Sequence, residues 1–149
     1  MSWGSQEEAY VDQEREIRHE TFIFPVDSNE TVEFTAGGGD NAFGVWAEIK
    51  DNLLVTFSSK ATSYLHISGI IIEEADTPEK IYKLELAYGD SKINMARSRF
   101  GQGTRFISVV TQETKIRSTH VPPGETIYYQ MKCETGGAKC KVHFRYHLH

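Results

Sequence analysis

The 149-residue chain has little that would place it in a specialised class. It holds only two cysteines and four prolines, and no apolar run near the ~20 residues a membrane span needs. Two cysteines are not a disulfide framework. The N-terminal stretch MSWGSQEEAYVDQEREIRHE is acidic and has no apolar h-region, so neither a signal peptide nor a membrane partner is expected. Basic residues stand singly (Lys92, Arg97, Arg99, Arg105, Lys115, Arg117), and with a net charge of −5 this argues against nucleic acid as a partner. Catalytic signatures are missing too. There is no G-x-S-x-G and no H-E-x-x-H, and the glycine-rich AGGGDNAFG (36–44) lacks the Lys-Ser/Thr and following helix of a phosphate loop. Glu73 and Glu74 are adjacent on one strand and face opposite ways, so they cannot form an acid and base pair; Glu85 with either remains a weaker combination than solvated strand ends. The chain reads as non-enzymatic, with no cofactor.

What is present is one domain's length, a modest 39% apolar fraction and enough aromatic residues to exclude wholesale disorder. Such a chain buries roughly 68–70% of its unfolded surface. The net charge conceals an asymmetry. Residues 1–90 carry 18 acidic and 6 basic side chains, a formal −12; residues 91–149 carry 3 and 10, a formal +7. Either the halves pair within one fold, or one protomer's acidic end meets a neighbour's basic end.

Residues 1–20 read as an acidic arm with Trp3, Tyr10 and Ile17 as isolated anchors, either frayed or docked on a neighbour. From residue 21 the signals are strands. Period-two alternation marks 20–26 (Phe22, Phe24), 30–36 (Val32, Phe34), 45–51 and 80–90. NLLVTFSS (52–59) is a further apolar, β-branched run. SYLHISGIIIEEA (63–75) suits a central strand buried on both faces. SKINMARSRFGQGT (91–104) is ambiguous, with a short helical turn as one outcome. Residues 105–112, 114–121, 125–133 and 138–149 complete about nine short strands separated by turns. The expectation is an all-β, single-domain antiparallel β-sandwich or jelly roll over 21–149, with the arm at 1–20.

In KCETGGAKC a turn centred on Gly136-Gly137 puts Cys133 and Cys140 directly opposite each other in a β-hairpin, as a cross-strand thiol pair or a strained disulfide, thiols being favoured. The last strand, VHFRYHLH, places Val142, Phe144, Tyr146 and Leu148 on the core face and His143, Arg145, His147 and His149 on a polar face. Those histidines sit ~6.6 Å or more apart along the strand, so a metal would need ligands from a neighbouring strand or a symmetry mate. A polar or interface face is preferred and no metal site is expected. Trp46, Tyr64, Tyr128 and Tyr129 are the aromatic candidates for an interface or for stacking on a sugar ring; Tyr128 and Tyr129 point to opposite faces, so one of them should be exposed.

Several phrases in order carry a family resemblance. HVPPGETIYYQMKCETGGAKCKVHFRYHLH (120–149) resembles the closing strands of tailed-phage virion proteins, in which I-P-A-G-S/T-x-I/V-x-x-R/Q precedes a final hairpin. Here Val121, Pro122, Pro123, Gly124, Glu125, Thr126 and Ile127 lead into Tyr128, Tyr129 and Gln130. GDNAFGVWAEIKDN (39–52), KIYKLELAYGDSK (80–92) and RSRF (97–100) are similar to phage structural proteins in the same way. Pro123 and Gln130 depart from the commoner Ala and Arg, so no arginine role is carried over. The resemblance spans about 36–149. It implies a virion structural subunit, assembled in the host cytoplasm. The preferred role is a trimeric capsid decoration (cement) protein that bridges major capsid subunits. The alternative is a carbohydrate- or receptor-binding sandwich of a tail fibre, or a lectin-like module.

Overall fold

A computed structural model describes residues 20–101 and 112–149. Nine strands are present among them: β1 (Phe22–Phe24), β2 (Val32–Thr35), β3 (Ala47–Glu48), β4 (Leu65–Ala75), β5 (Ile81–Tyr88), β6 (Ile93–Gly101), β7 (Gln112–Lys115), β8 (Ile127–Cys133) and β9 (Lys139–Leu148). They form two antiparallel sheets. One runs β1-β9-β4-β7, with β2 also pairing β9; the other runs β3-β8-β5-β6. This is the all-β sandwich expected from the alternation. Trp3, Tyr10, Ile17 and most of the 105–112 segment lie outside the described residues.

Period two explains the core. In β2, Val32 and Phe34 are buried while Glu33 and Thr35 are exposed. In β5, Tyr82, Leu84 and Leu86 point inward. In β9, Val142, Phe144 and Tyr146 do so, and Leu148 packs at the edge. The two inner faces meet through aromatic rings. Phe57 stacks on both Phe24 and Phe144 at 4.9 Å, and Phe34 of one sheet lies 4.2 Å from Tyr129 of the other. Packing of this kind adds to plain area burial.

Four details differ from the expectation. β4 is not buried on both faces; a register shift between Ile67 and Gly69 changes its phase, so Leu65 and Ile67 and then Ile70 and Ile72 face the core. Residues 93–101 are a strand and not a helical turn, because β5 supplies a full partner and Tyr82 stacks on Phe100 at 5.2 Å. Residues 52–59 are not a strand. The Asp51 carboxylate accepts hydrogen bonds from the N–H groups of Leu53 and Val55 at 2.9 and 2.8 Å, Leu54 turns left-handed (φ 67°), and a single 3-10 turn follows at Phe57–Lys60. Finally, β8 and β9 are not a hairpin, since they belong to different sheets.

The segment between β8 and β9 is therefore a corner, and the glycine-rich loop 36–44 braces it. Backbone bonds run from Ala36 to Ala138, from Gly37 to Met131, from Asn41 to Cys133 and from Gly137 to Gly37. The approach is so close that a Cβ on Gly136 would stand 2.2 Å from the carbonyl oxygen of Gly38. Glycine is required there by space.

Candidate functional site

The chemistry-bearing side chains gather on the outer wall of the β4–β9 pair. His66 on β4 stands opposite His147 on β9. Leu65 and Val121 exchange two backbone hydrogen bonds, of 3.0 and 2.7 Å, and both side chains are fully buried. The neighbouring His66 and His120 therefore turn outward side by side. The N–H of His149 donates to the carbonyl of Tyr64 at 2.8 Å, which continues the ladder past Leu148 and brings His149 diagonal to His66.

Four imidazoles result. The ring centroids of His66 and His120 are 5.0 Å apart, those of His66 and His149 4.6 Å, and those of His120 and His149 4.7 Å. His147 stacks on His66 at 4.9 Å. His149 Nε2 lies 2.7 Å from His66 Nδ1. One ring nitrogen from each of His66, His120 and His149 falls within 4.8 Å of the others; His120 and His149 are exposed and His66 is half-buried. The neighbouring-strand ligands that a metal site required are thus in place. Nothing in the sequence singled out His66 or His120. Each is an isolated histidine, and only the strand register joins them to the C-terminal pair.

The rest of the expected polar face divides. His143 is buried, with Nδ1 3.0 Å from Glu73 Oε1, off the line of a hydrogen bond, and Nε2 3.4 Å from the Asp27 carbonyl. It does not join the other histidines. Arg145 is half-buried opposite Gly69.

The carboxylates weighed for acid–base chemistry, Glu73, Glu74 and Glu85, are divided between the two sheets. An open groove of about 420 Å³ is lined by Glu33, Glu73, Glu74 and Asp76 together with Lys139 and Lys141. Two of its acids stand beside lysines: Glu74 lies 3.3 Å from Lys141 and Glu33 lies 3.8 Å from Lys139. Glu85 sits in the other sheet, 3.3 Å from Arg97. Burial pushes the Asp76 carboxyl up, but hydrogen bonds from the Lys139 N–H, Thr77 and Tyr82 and the Lys139 charge together hold it below its ordinary value.

The cysteines are both buried free thiols, but they do not oppose each other. Cys133 on β8 pairs with Tyr82; Cys140 on β9 pairs with Phe34 and Ala75. The Cys140 thiol donates to Met131 Sδ, 3.7 Å away across the sheet interface. Burial, with smaller contributions from Asp76, Cys133 and Glu33, pushes the Cys140 thiol up to about 12. A thiol held there carries almost no thiolate near neutral pH.

Of the aromatic candidates, Tyr129 faces inward, its hydroxyl accepting a hydrogen bond from the Thr35 N–H at 3.2 Å. Tyr128 is half-buried, not exposed, because the Lys92 ammonium lies 4.1 Å over its ring. Trp46 is half-buried, and Tyr64 is 51% exposed beside the histidines. Larger apolar exposure lies on three loops: Val26 (79%), Val45 (88%), and Leu53 and Leu54 (65% and 75%). The loops bearing Val26 and Leu53–Leu54 are tied by mutual bonds between Thr31 and Asn52.

No family model, no curated protein and no solved structure matches this chain.

Proposed function

We propose that the chain is a non-enzymatic structural subunit of a tailed-phage virion, assembled in the host cytoplasm, whose role is capsid decoration: bridging neighbouring capsid subunits as a homo-oligomer, a trimer in the preferred form. The observation that carries this reading is the presentation of Val26, Leu53 and Leu54 on two joined loops of a rigid sandwich. Asp51 holds Leu53 and Leu54 outward through two backbone hydrogen bonds. Leucines held out into water by a buried carboxylate suit a contact with another subunit better than they suit solvent. The strand orders add support. The chain passes between the sheets at every connection except β1–β2 and β5–β6, as a jelly-roll winding requires, and jelly rolls recur in capsid and lectin domains. Multivalent contact supplies the stabilisation without chemistry.

The exposed ring of Tyr64 favours the second reading, a carbohydrate-binding module. A glycan array separates the two. Sugar binding that is lost in Tyr64→Ala favours the module, and a blank array with the polypeptide present in purified particles favours the structural subunit. A native mass equal to a single chain would count against the oligomer.

A further inference from the structure

We infer that His66, His120 and His149 form a binding site for one divalent first-row transition metal of the zinc class, on the outer wall of the sandwich. The inference stands independently of the virion role. Three features carry it.

The first is the donor set. Three imidazole nitrogens suit zinc, copper, nickel and cobalt, and they do not suit magnesium or calcium, which take oxygen ligands. The second is spacing. A tetrahedral zinc centre separates its ligand nitrogens by about 3.3 Å. Here His149 Nε2 and His66 Nδ1 are hydrogen-bonded at 2.7 Å, and one nitrogen from each of the three rings lies within 4.8 Å of the others. The three ring centroids form a near-equilateral triangle with sides of 4.6, 4.7 and 5.0 Å, close to the ~5 Å that three rings adopt around one tetrahedral ion. Binding exchanges the proton held between His66 Nδ1 and His149 Nε2 for the ion.

The third is support. Each ligand sits next to backbone that is pinned. His66 is the second residue of β4, His120 precedes the Val121 bridge, and His149 is bonded through its N–H to Tyr64. The metal therefore joins three chain segments that the sheet already brings together, so little ordering remains at the moment of binding. His147 lies as near to His66, at 4.9 Å, as the triad's own rings do, but its nitrogens are not among the three that converge. With His120 and His149 exposed, the fourth coordination position opens to solvent. This is the arrangement of three protein ligands and one exchangeable position, and it accepts water or a side chain of an adjoining subunit.

The test is calorimetric titration of the untagged full chain with zinc chloride, cobalt chloride and magnesium chloride, with thermal unfolding measured on the same samples. One zinc ion binds per chain, cobalt competes with it, magnesium does not bind, and saturating zinc raises the unfolding midpoint by about 5 °C. His120→Ala and His149→Ala keep the wild-type circular dichroism spectrum and weaken zinc at least tenfold, while His147→Ala changes it less than threefold. Three results would each overturn the site. They are the absence of saturable zinc binding below millimolar, zinc binding that His120→Ala leaves unchanged, and a loss in His147→Ala as large as in His120→Ala.

Discussion

The Asp40 carboxylate accepts a hydrogen bond from the Gly136 N–H at 2.8 Å, clamping the glycine-rich loop to the corner where the chain passes from one sheet to the other. Residues 96 apart in sequence meet there with no room for a side chain. Gly136→Ala is expected to destabilise the protein by about 1–3 kcal/mol, because backbone on both sides must move. Gly38→Ala, whose Cβ would meet nothing within 4 Å, is expected to stay within about 0.5 kcal/mol of wild type. Urea denaturation of both variants measures the difference.

The stacked rings of Phe57 and Phe144 lie at the centre of the core. Phe144→Ala is expected to cost about 3–5 kcal/mol, since the cavity opens between two sheets that cannot collapse on it. The exposed His120→Ala, without metal, is expected to stay within about 0.5 kcal/mol. Thermal unfolding of the two variants provides the comparison.

Both thiols are expected to be silent toward a thiol reagent at pH 8 in the native protein and to react fully in denaturant. Burial shields both Cys133 and Cys140 from the reagent, and it pushes Cys140 up to about 12, so Cys140 carries almost no thiolate. Native-state labelling followed by mass spectrometry reads the outcome.

Asp76 makes stability depend on acid. Its folded value lies below its ordinary one, so it contributes stability above the ordinary carboxylate range, near pH 4, and loses it as pH falls through the depressed folded value. Asp76→Asn is expected to be less stable than wild type at pH 7, and the gap is expected to narrow as pH falls below the ordinary carboxylate range. Tyr82→Phe removes the hydroxyl that donates to Asp76 at 3.3 Å and accepts from the Thr77 N–H at 3.0 Å, and should reduce the same acid sensitivity. Denaturant midpoints across that pH range test both variants.

The strands were legible because one face of each is dry. Val32 and Phe34 in β2, and Val142, Phe144 and Tyr146 in β9, repeat with the two-residue period of the pleat. Leu53, Leu54 and Val55 misled because apolar content resembles a strand, while a single carboxylate, Asp51, takes the N–H groups a strand would offer to a neighbour. The turn at Gly136-Gly137 has hairpin chemistry, and only the pairing of β8 with β5 and of β9 with β4 reveals a corner. The histidine cluster was half legible. His147 and His149 share a face by alternation, whereas His66 and His120 reach them through long-range register that no local pattern encodes.

The most direct measurement of the structural role is quantitative mass spectrometry of purified particles. Virions made with the wild-type chain are compared with virions made with Leu53→Ser combined with Leu54→Ser. The account predicts many copies of the wild-type polypeptide per particle and strong depletion of the double variant, which keeps its fold. Particles that lack the wild-type polypeptide, or that retain the double variant in equal amount, would contradict it.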